Sequence, residues 1–226
     1  MIALKKIITK RISTHTNGAL IVSQSKDVNV TFSANAIVSD NEISGETKAR
    51  LYKTDVNKDV SASQAAVEVT AKDDIKLDST TANAQMQVTI GDNNINILLG
   101  AGVLYEDNNR SVKALAAGEN GSNKSTVNAK TFKVDANSTQ TDNVVNACVG
   151  VSLAIPSAEA IAKMFTGKPP VNGSGAASVA TTHVDLKGIT LAQVDYVNTD
   201  NQGMTVNAYH KDIVNATGVA AAGTFG

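Results

Sequence analysis

Five-residue alternation recurs three times at nearly constant spacing, and no other feature limits the fold of this chain as much. The segments are Val67-Glu68-Val69-Thr70-Ala71, Phe132-Lys133-Val134-Asp135-Ala136 and Met204-Thr205-Val206-Asn207-Ala208. Each alternates apolar and polar side chains, the pattern of a strand with one buried face. From Ala71 to Ala136 the step is 65, and from Ala136 to Ala208 it is 72. A second set partly keeps step: Thr47-Lys48-Ala49-Arg50-Leu51, Val112-Lys113-Ala114-Leu115-Ala116 and Thr190-Leu191-Ala192-Gln193-Val194. Ala49 and Ala114 repeat the step of 65, and the intervals Ala49 to Ala71 and Ala114 to Ala136 are both 22.

A short half-buried strand makes no core alone, whereas stacked copies bury their inward rows against one another. A unit of that length divides into three coils of about 22 residues, the size of a turn of a parallel β-helix. The expected fold is therefore all-β: a parallel right-handed β-helix, or solenoid, of such coils. Ala49, Ala71, Ala114, Ala136 and Ala208 suit a narrow interior. Nine or ten coils stack to a rod of about 45 Å. Residues 18–226 form this repeat domain, and residues 1–17 read as an N-terminal extension or cap.

A third set is looser: Asp27-Val28-Asn29, Asn143-Val144-Val145-Asn146-Ala147 and Asp212-Ile213-Val214-Asn215-Ala216. Small-residue runs at 33–38, 99–103, 148–154, 173–179 and 218–225 let coils pack closely. The chain is 42% hydrophobic but 4% aromatic, with no Trp and three Pro. That composition suits thin sheets with polar turns more than a bulky globular core. Clusters of Asn and Asp read as turns, where they tolerate left-handed backbone and bond their own main chain.

One segment departs from the strand pattern, a short helical insertion at 156–171. Ser157 is the expected N-cap, Glu159 lies in the first turn, Gly167 ends the helix and Pro169-Pro170 prevent its resumption. The step from Ala114 to Ala192 is 78, or 13 beyond the repeat, which an insertion looped out between two coils supplies. The step from Ala192 to Ala208 is only 16 and has no counterpart in this scheme. Ile161, Met164 and Phe165 are expected to shield the side of the rod; the alternative is a grasping loop.

The 20 basic and 21 acidic residues give a formal net charge of −1. Such a balance gives no strong bias towards nucleic acid or anionic membrane, and neither is an expected partner. Basic residues bunch only at Lys5-Lys6 and Lys10-Arg11. The N-terminus lacks the apolar stretch of roughly 7–15 residues that a signal peptide needs, and no run approaches the roughly 18 apolar residues of a membrane span. Cys148, the single cysteine, is expected to be buried and inert. The small-residue strand at 219–226 reads as cut rather than capped, so the chain is expected to be a fragment of a longer repetitive protein or a truncated reading frame of one.

The inventory of chemistry is thin. His15 and His210 fall in expected turns, and His183 is expected to face solvent. No His pair or Cys cluster has metal-ligand spacing, and no nucleophile elbow or phosphate loop is present. The acidic pairs Asp73-Asp74 and Glu106-Asp107, near Lys72 and Arg110, read as solvated turns; aligned carboxylates from several coils are the alternative, as acid and base or as a calcium site. No catalytic, cofactor-binding or metal residue is assigned, and no cofactor is implied. Expected contact regions are the departures from a minimal coil: a turn at 107–110, a loop at 119–125 and the insert at 157–171.

The tail Val206-Asn-Ala-Tyr-His-Lys-Asp-Ile-Val-Asn-Ala-Thr-Gly-Val-Ala-Ala-Ala-Gly-Thr-Phe-Gly resembles repeats of very large secreted bacterial leukotoxins and filamentous-haemagglutinin-like adhesins. Gly100-Ala-Gly-Val-Leu-Tyr-Glu-Asp-Asn-Asn-Arg-Ser-Val-Lys-Ala resembles them too, and the likeness extends over about residues 18–226. It implies a β-helical passenger exported by a two-partner or autotransporter route. Localisation is then secreted or at the bacterial cell surface, with attachment to host cells or killing of leukocytes as the role. The implied partner is a host-cell surface, protein or glycan, met multivalently along the rod. The family has no short catalytic motif to carry over. The alternatives on the same scaffold are a carbohydrate-active enzyme, either polysaccharide lyase or hydrolase, and a purely structural fibre such as a phage tailspike.

Overall fold

A computed structural model describes residues 2–59, 65–121, 123–167 and 171–225, with the side chains of 2–13, 15 and 25–29 outside the described set. Nearly all of this is strand: β1 (Ile2–Tyr52), β2 (Asp55–Val56), β3 (Ala66–Ala117), β4 (Ser125–Pro156), β5 (Asn172–Asp195) and β6 (Val197–Phe225), with one helix, α1 (Ala158–Met164). Every strand pairing is parallel. β1 lies along β3; the first half of β3 lies along β4 and its second half along β5; β4 lies along β6. The result is an all-β fold built on a largely parallel, open sheet.

The register shows what the repeat means. Ala49 stands opposite Ala114, and Ala114 opposite Ala192. Ala71 stands opposite Ala136, and Ala136 opposite Ala208. The period of 65 is therefore the offset from one strand to its neighbour. The expected coil, about a third of that, does not occur as a pairing interval among the described strands. Ala49, Ala71, Ala114 and Ala136 do meet, but within one buried cluster with Leu51, Val69, Val112, Val127, Phe132 and Val134. Ala49 and Ala71 thus share that core without being paired to each other.

β3 folds as an arch. In β3 the odd-numbered residues are buried up to Gly91 and the even-numbered ones from Asp92 onward. Two consecutive buried residues reverse the phase, so the arm before 91 and the arm after 92 turn inward faces toward each other. Hydrogen bonds join the arms across the gap: Asn83 Nδ2 donates to the Ala101 carbonyl at 2.9 Å, and Ser79 Oγ to Glu106 Oε2 at 2.7 Å. At the far end from this bend the arms close on the apolar cluster.

The changes of interval have local causes. In β1 the offset to β3 narrows from 67 to 65 through irregularities between Ile8 and Arg11 and between Ser25 and Val28. Gly91 pairs with Pro156 at an offset of 65, whereas Asn94 pairs with Asn172 at an offset of 78. The inserted segment between Pro156 and Asn172 carries α1. Between β3 and β4 seven residues intervene, but between β5 and β6 only Tyr196 does, and the offset falls from 78 to 72. That accounts for the short Ala192-to-Ala208 step. Lys53 and Tyr196 hold this corner with left-handed φ of 48° and 51°. A Cβ on Gly118 would come within 2.5 Å of the Tyr196 carbonyl oxygen.

Residues 2–17, read from the sequence as a separate extension or cap, run as part of β1 beside 69–83. No described helix is long and apolar enough to cross a membrane.

Candidate functional site

Asn57, Asp59, Asn120 and Asn123 lie in turns or loops as expected, but many other Asn and Asp residues lie in mid-strand, several of them inside the arch. Asn83, Asn94, Asn96, Asn108, Asp142 and Asn146 are all buried. Amides bond strongly to main-chain groups when water is excluded. Asn146 Nδ2 donates to the Gly102 carbonyl at 3.0 Å and to that of Thr181 at 2.6 Å. Outward amides and acids form ladders from strand to strand, as Asn143 Nδ2 donates to Asp78 Oδ1 at 2.7 Å and Asn215 Nδ2 to Asn143 Oδ1 at 2.9 Å.

The acidic pairs are not solvated turns either. Strand alternation splits each one: Asp73 and Glu106 are buried, while Asp74 and Asp107 point outward. Asp73 forms a buried ion pair with Arg110 and accepts from Thr47 Oγ1 at 3.3 Å. Glu106 Oε2 accepts from Ser79 and, at 3.2 Å, from Asn41. Asp142 Oδ2 accepts from Gln140 Nε2 at 2.5 Å. Burial pushes the Asp142 carboxyl up to about 6; the Gln140 hydrogen bond opposes that rise, and the nearby Glu106 and Asp212 add to it. The cavity beside Arg110 measures about 10 Å³, room for about one water. This cluster is structural in scale.

A larger groove lies on the outer face of the second arm, over three strands. It measures about 320 Å³ and is lined by Asp40, Tyr105, Glu106, Asp107, His183 and Asp185. Asp40, Tyr105 and His183 share one register position; Glu42, Asp107 and Asp185 share another, two places along. The Tyr105 and His183 rings lie 6.0 Å apart at 59°. Lys187 Nζ is 2.5 Å from Asp185 and 3.6 Å from Asp107, and the Asp185 hydrogen bond raises the Lys187 pKa. An aromatic pair beside carboxylate acceptors offers an apolar face and hydrogen-bond acceptors to a hydroxyl-rich ligand. Among the described residues no group of three or more His, Cys, Asp or Glu is arranged to hold a metal ion.

Nearer the bend, both outer faces are apolar. Leu20, Met86 and Val149 are exposed on the first arm, and Phe32, Ile97 and Leu99 on the second. The usual inside-out order is thus reversed here, with amides within and aliphatic groups without.

The regions singled out in the sequence fare differently. Residues 107–110 are mid-strand in β3, not a turn, because alternation continues through them. The described residues 118–121 and 123–124 lie outside the strands, and there Glu119 meets Lys53 at 2.5 Å and accepts from the Tyr52 hydroxyl at 2.6 Å. In the insert, Ser157 caps α1 by accepting from the Ala160 N–H at 2.9 Å. Asp92 bonds Ser157 and receives Lys163 at 2.6 Å. Ile161, Met164 and Phe165 do not shield the side; Phe165 is 88% exposed, and Ala160 is the residue that packs inward. Pro169 and Pro170 lie outside the described residues, as do the side chains of Lys5, Lys6, Lys10 and Arg11. His183 faces outward, His210 lies within β6 bonded to Asp212 at 2.7 Å, and His15 lies on β1 with its side chain outside the described set. Cys148 is buried. Tyr105 drew no attention in the sequence; its signal was the offset of 78 that sets His183 beside it.

No family model, curated protein or solved structure matches this chain.

Proposed function

We propose that the chain is a β-solenoid section of a secreted or surface-exposed bacterial adhesin or leukotoxin-like protein, contacting host cells through its outer faces. The observation that carries this reading is the groove in which Asp40, Tyr105 and His183 stand at one register position on three neighbouring strands. Parallel stacking repeats a contact position along the rod, so weak individual contacts add by avidity. Host-surface glycan is the ligand class that suits aromatic rings flanked by carboxylates.

Binding of the purified chain to host cells and to immobilised glycans tests this reading. Tyr105→Ala and Asp185→Asn are expected to lower binding by about tenfold or more, the loss of a well-placed contact. Binding that is absent, or equal to wild type in both variants, overturns it.

A second reading, a carbohydrate-active enzyme, draws on the same carboxylates from neighbouring strands. It requires that incubation with polysaccharide release new reducing ends and that Asp107→Asn abolish the release.

A further inference from the structure

The outer face of the first arm, near the bend, is a broad surface free of charge. Four strands contribute to it: residues 14–24 of β1, 80–90 of β3, 145–155 of β4 and 217–225 of β6. Its outward positions hold no Asp, Glu, Lys, Arg or His. Leu20, Val22, Met86, Val149, Ile155 and Phe225 are all substantially exposed there. Four strands about 4.8 Å apart, each running about 36 Å at the usual rise, give about 700 Å². This face includes Thr14, Thr16, Gln24, Thr80 and Thr217 among its outward residues, and its apolar part reaches the upper end of the roughly 300–600 Å² of the largest apolar patch on a typical monomer. The whole face approaches the roughly 800 Å² that each partner contributes to a standard interface.

We propose that this face packs against the same face of a second copy of the chain, sheet on sheet, about a two-fold axis near Ala84 and Val149. Two observations and a symmetry argument select that occupant. The surface is pleated and built of alternating strands, so another such sheet fits it at the roughly 10 Å spacing of packed sheets. Ala82, Ala84 and Ala147 occupy adjoining positions and let the two sheets approach closely. A two-fold axis brings a patch onto itself and so needs no separate complementary surface.

A lipid bilayer fits less well. The outer edges of β1 and β6 are unpaired among the described strands, and hydrocarbon leaves such N–H and C=O groups unsatisfied. Face-to-face packing keeps those edges in water. The rim beside the patch alternates Lys72, Asp74, Lys76 and Asp78 and so lacks the basic cluster that anionic headgroups attract. The proposal is independent of any host ligand, because the groove at Tyr105 lies on the other arm.

Sedimentation of the full chain over a range of concentrations tests it. The wild type is expected to be a dimer with a Kd in the micromolar range. Val149→Lys, on the outward side of β4, is expected to weaken dimerisation about 100-fold, as for a centrally placed contact. Leu99→Lys, on the other arm's face, is expected to leave the dimer unchanged. Circular dichroism checks that both variants keep their strands. As a measurement free of any added charge, Ala84→Cys is expected to give covalent dimers with a short bis-maleimide, while the wild type, whose only cysteine is buried, does not. A monomeric wild type, a Val149→Lys dimer of undiminished affinity, or flotation of the monomer with phosphatidylcholine vesicles overturns the proposal.

Discussion

Ala49 stands opposite Ala114 in parallel register on the neighbouring strand, and both side chains are fully buried in one apolar cluster. Ala192 continues the column on the next strand. A row of alanines fixes how closely the walls of the core approach, so a larger group has nowhere to go. Ala114→Leu is expected to destabilise the fold by about 1–3 kcal/mol, the usual cost of overpacking, measured by urea denaturation. Glu68→Gln, on the outward face of the same core, serves as the control and is expected to change stability little.

Arg110 and Asp73 form the buried ion pair between the arms. Removing one partner leaves a charge without water or counter-ion, so Arg110→Met is expected to cost about 3–5 kcal/mol. The double variant Arg110→Met with Asp73→Leu removes both charges and is expected to recover most of that loss. A double-mutant denaturation cycle measures the coupling.

Asp142 gives an unusual pH dependence. Its carboxyl is pushed from 3.8 to about 6 in the fold, chiefly by burial. Between those values the folded state holds a proton that the unfolded state has released, so stability falls as pH rises through the window. The loss totals about 3 kcal/mol, complete above pH 6. Asp92, Glu46 and Glu119 have lowered pKa values and so remain ionised from pH 5 to 7. Asp142→Asn is expected to abolish the part of the fall in Tm between pH 5 and pH 7 that this group causes. Equal pH profiles for wild type and variant contradict the assignment.

The insert is additional to the strand repeat. In β3 only Asp92 and Asn93 separate Gly91 from Asn94, whereas the whole of 157–171 separates their partners Pro156 and Asn172. Deleting residues 159–171 leaves Ser157-Ala158 as an equally short bend and brings the β3–β5 offset from 78 to the 65 seen between β3 and β4. The deletion variant is expected to retain its β-sheet circular dichroism and a cooperative melt. Loss of the fold on deletion would mean that α1 is part of the core.

Alternation around Val67–Ala71 and Thr47–Leu51 made the strands legible in the sequence, and the alanine spacing made their repeat legible too. The level of the repeat was not, because Ala49 and Ala71 share a core without being paired just as Ala49 and Ala114 share it along a stack. Sequence spacing records both kinds of contact alike. The interior was hidden for a different reason. Asn83, Asn96 and Asn146 carry the residue type of turns, and only the facing arm, supplying the Ala101, Leu153 and Gly102 carbonyls, makes a buried strand position tolerable for them. The groove at Tyr105 depends on His183, which lies on a different strand far along the chain, and no local motif announces it.

β3 stacks on β4, and on most of β1, at a sequence offset of 65 and not of 22. Paired cysteines read that register directly. Asp74 and Thr139 are opposite in β3 and β4, and Thr139 Oγ1 already donates to Asp74 Oδ1 at 2.7 Å. Asp74→Cys with Thr139→Cys is expected to form a disulfide rapidly on mild oxidation. Asp74→Cys with Tyr52→Cys, the pair that the shorter coils would stack, is expected to stay reduced. Rapid bridging of the second pair and none of the first would contradict the fold described.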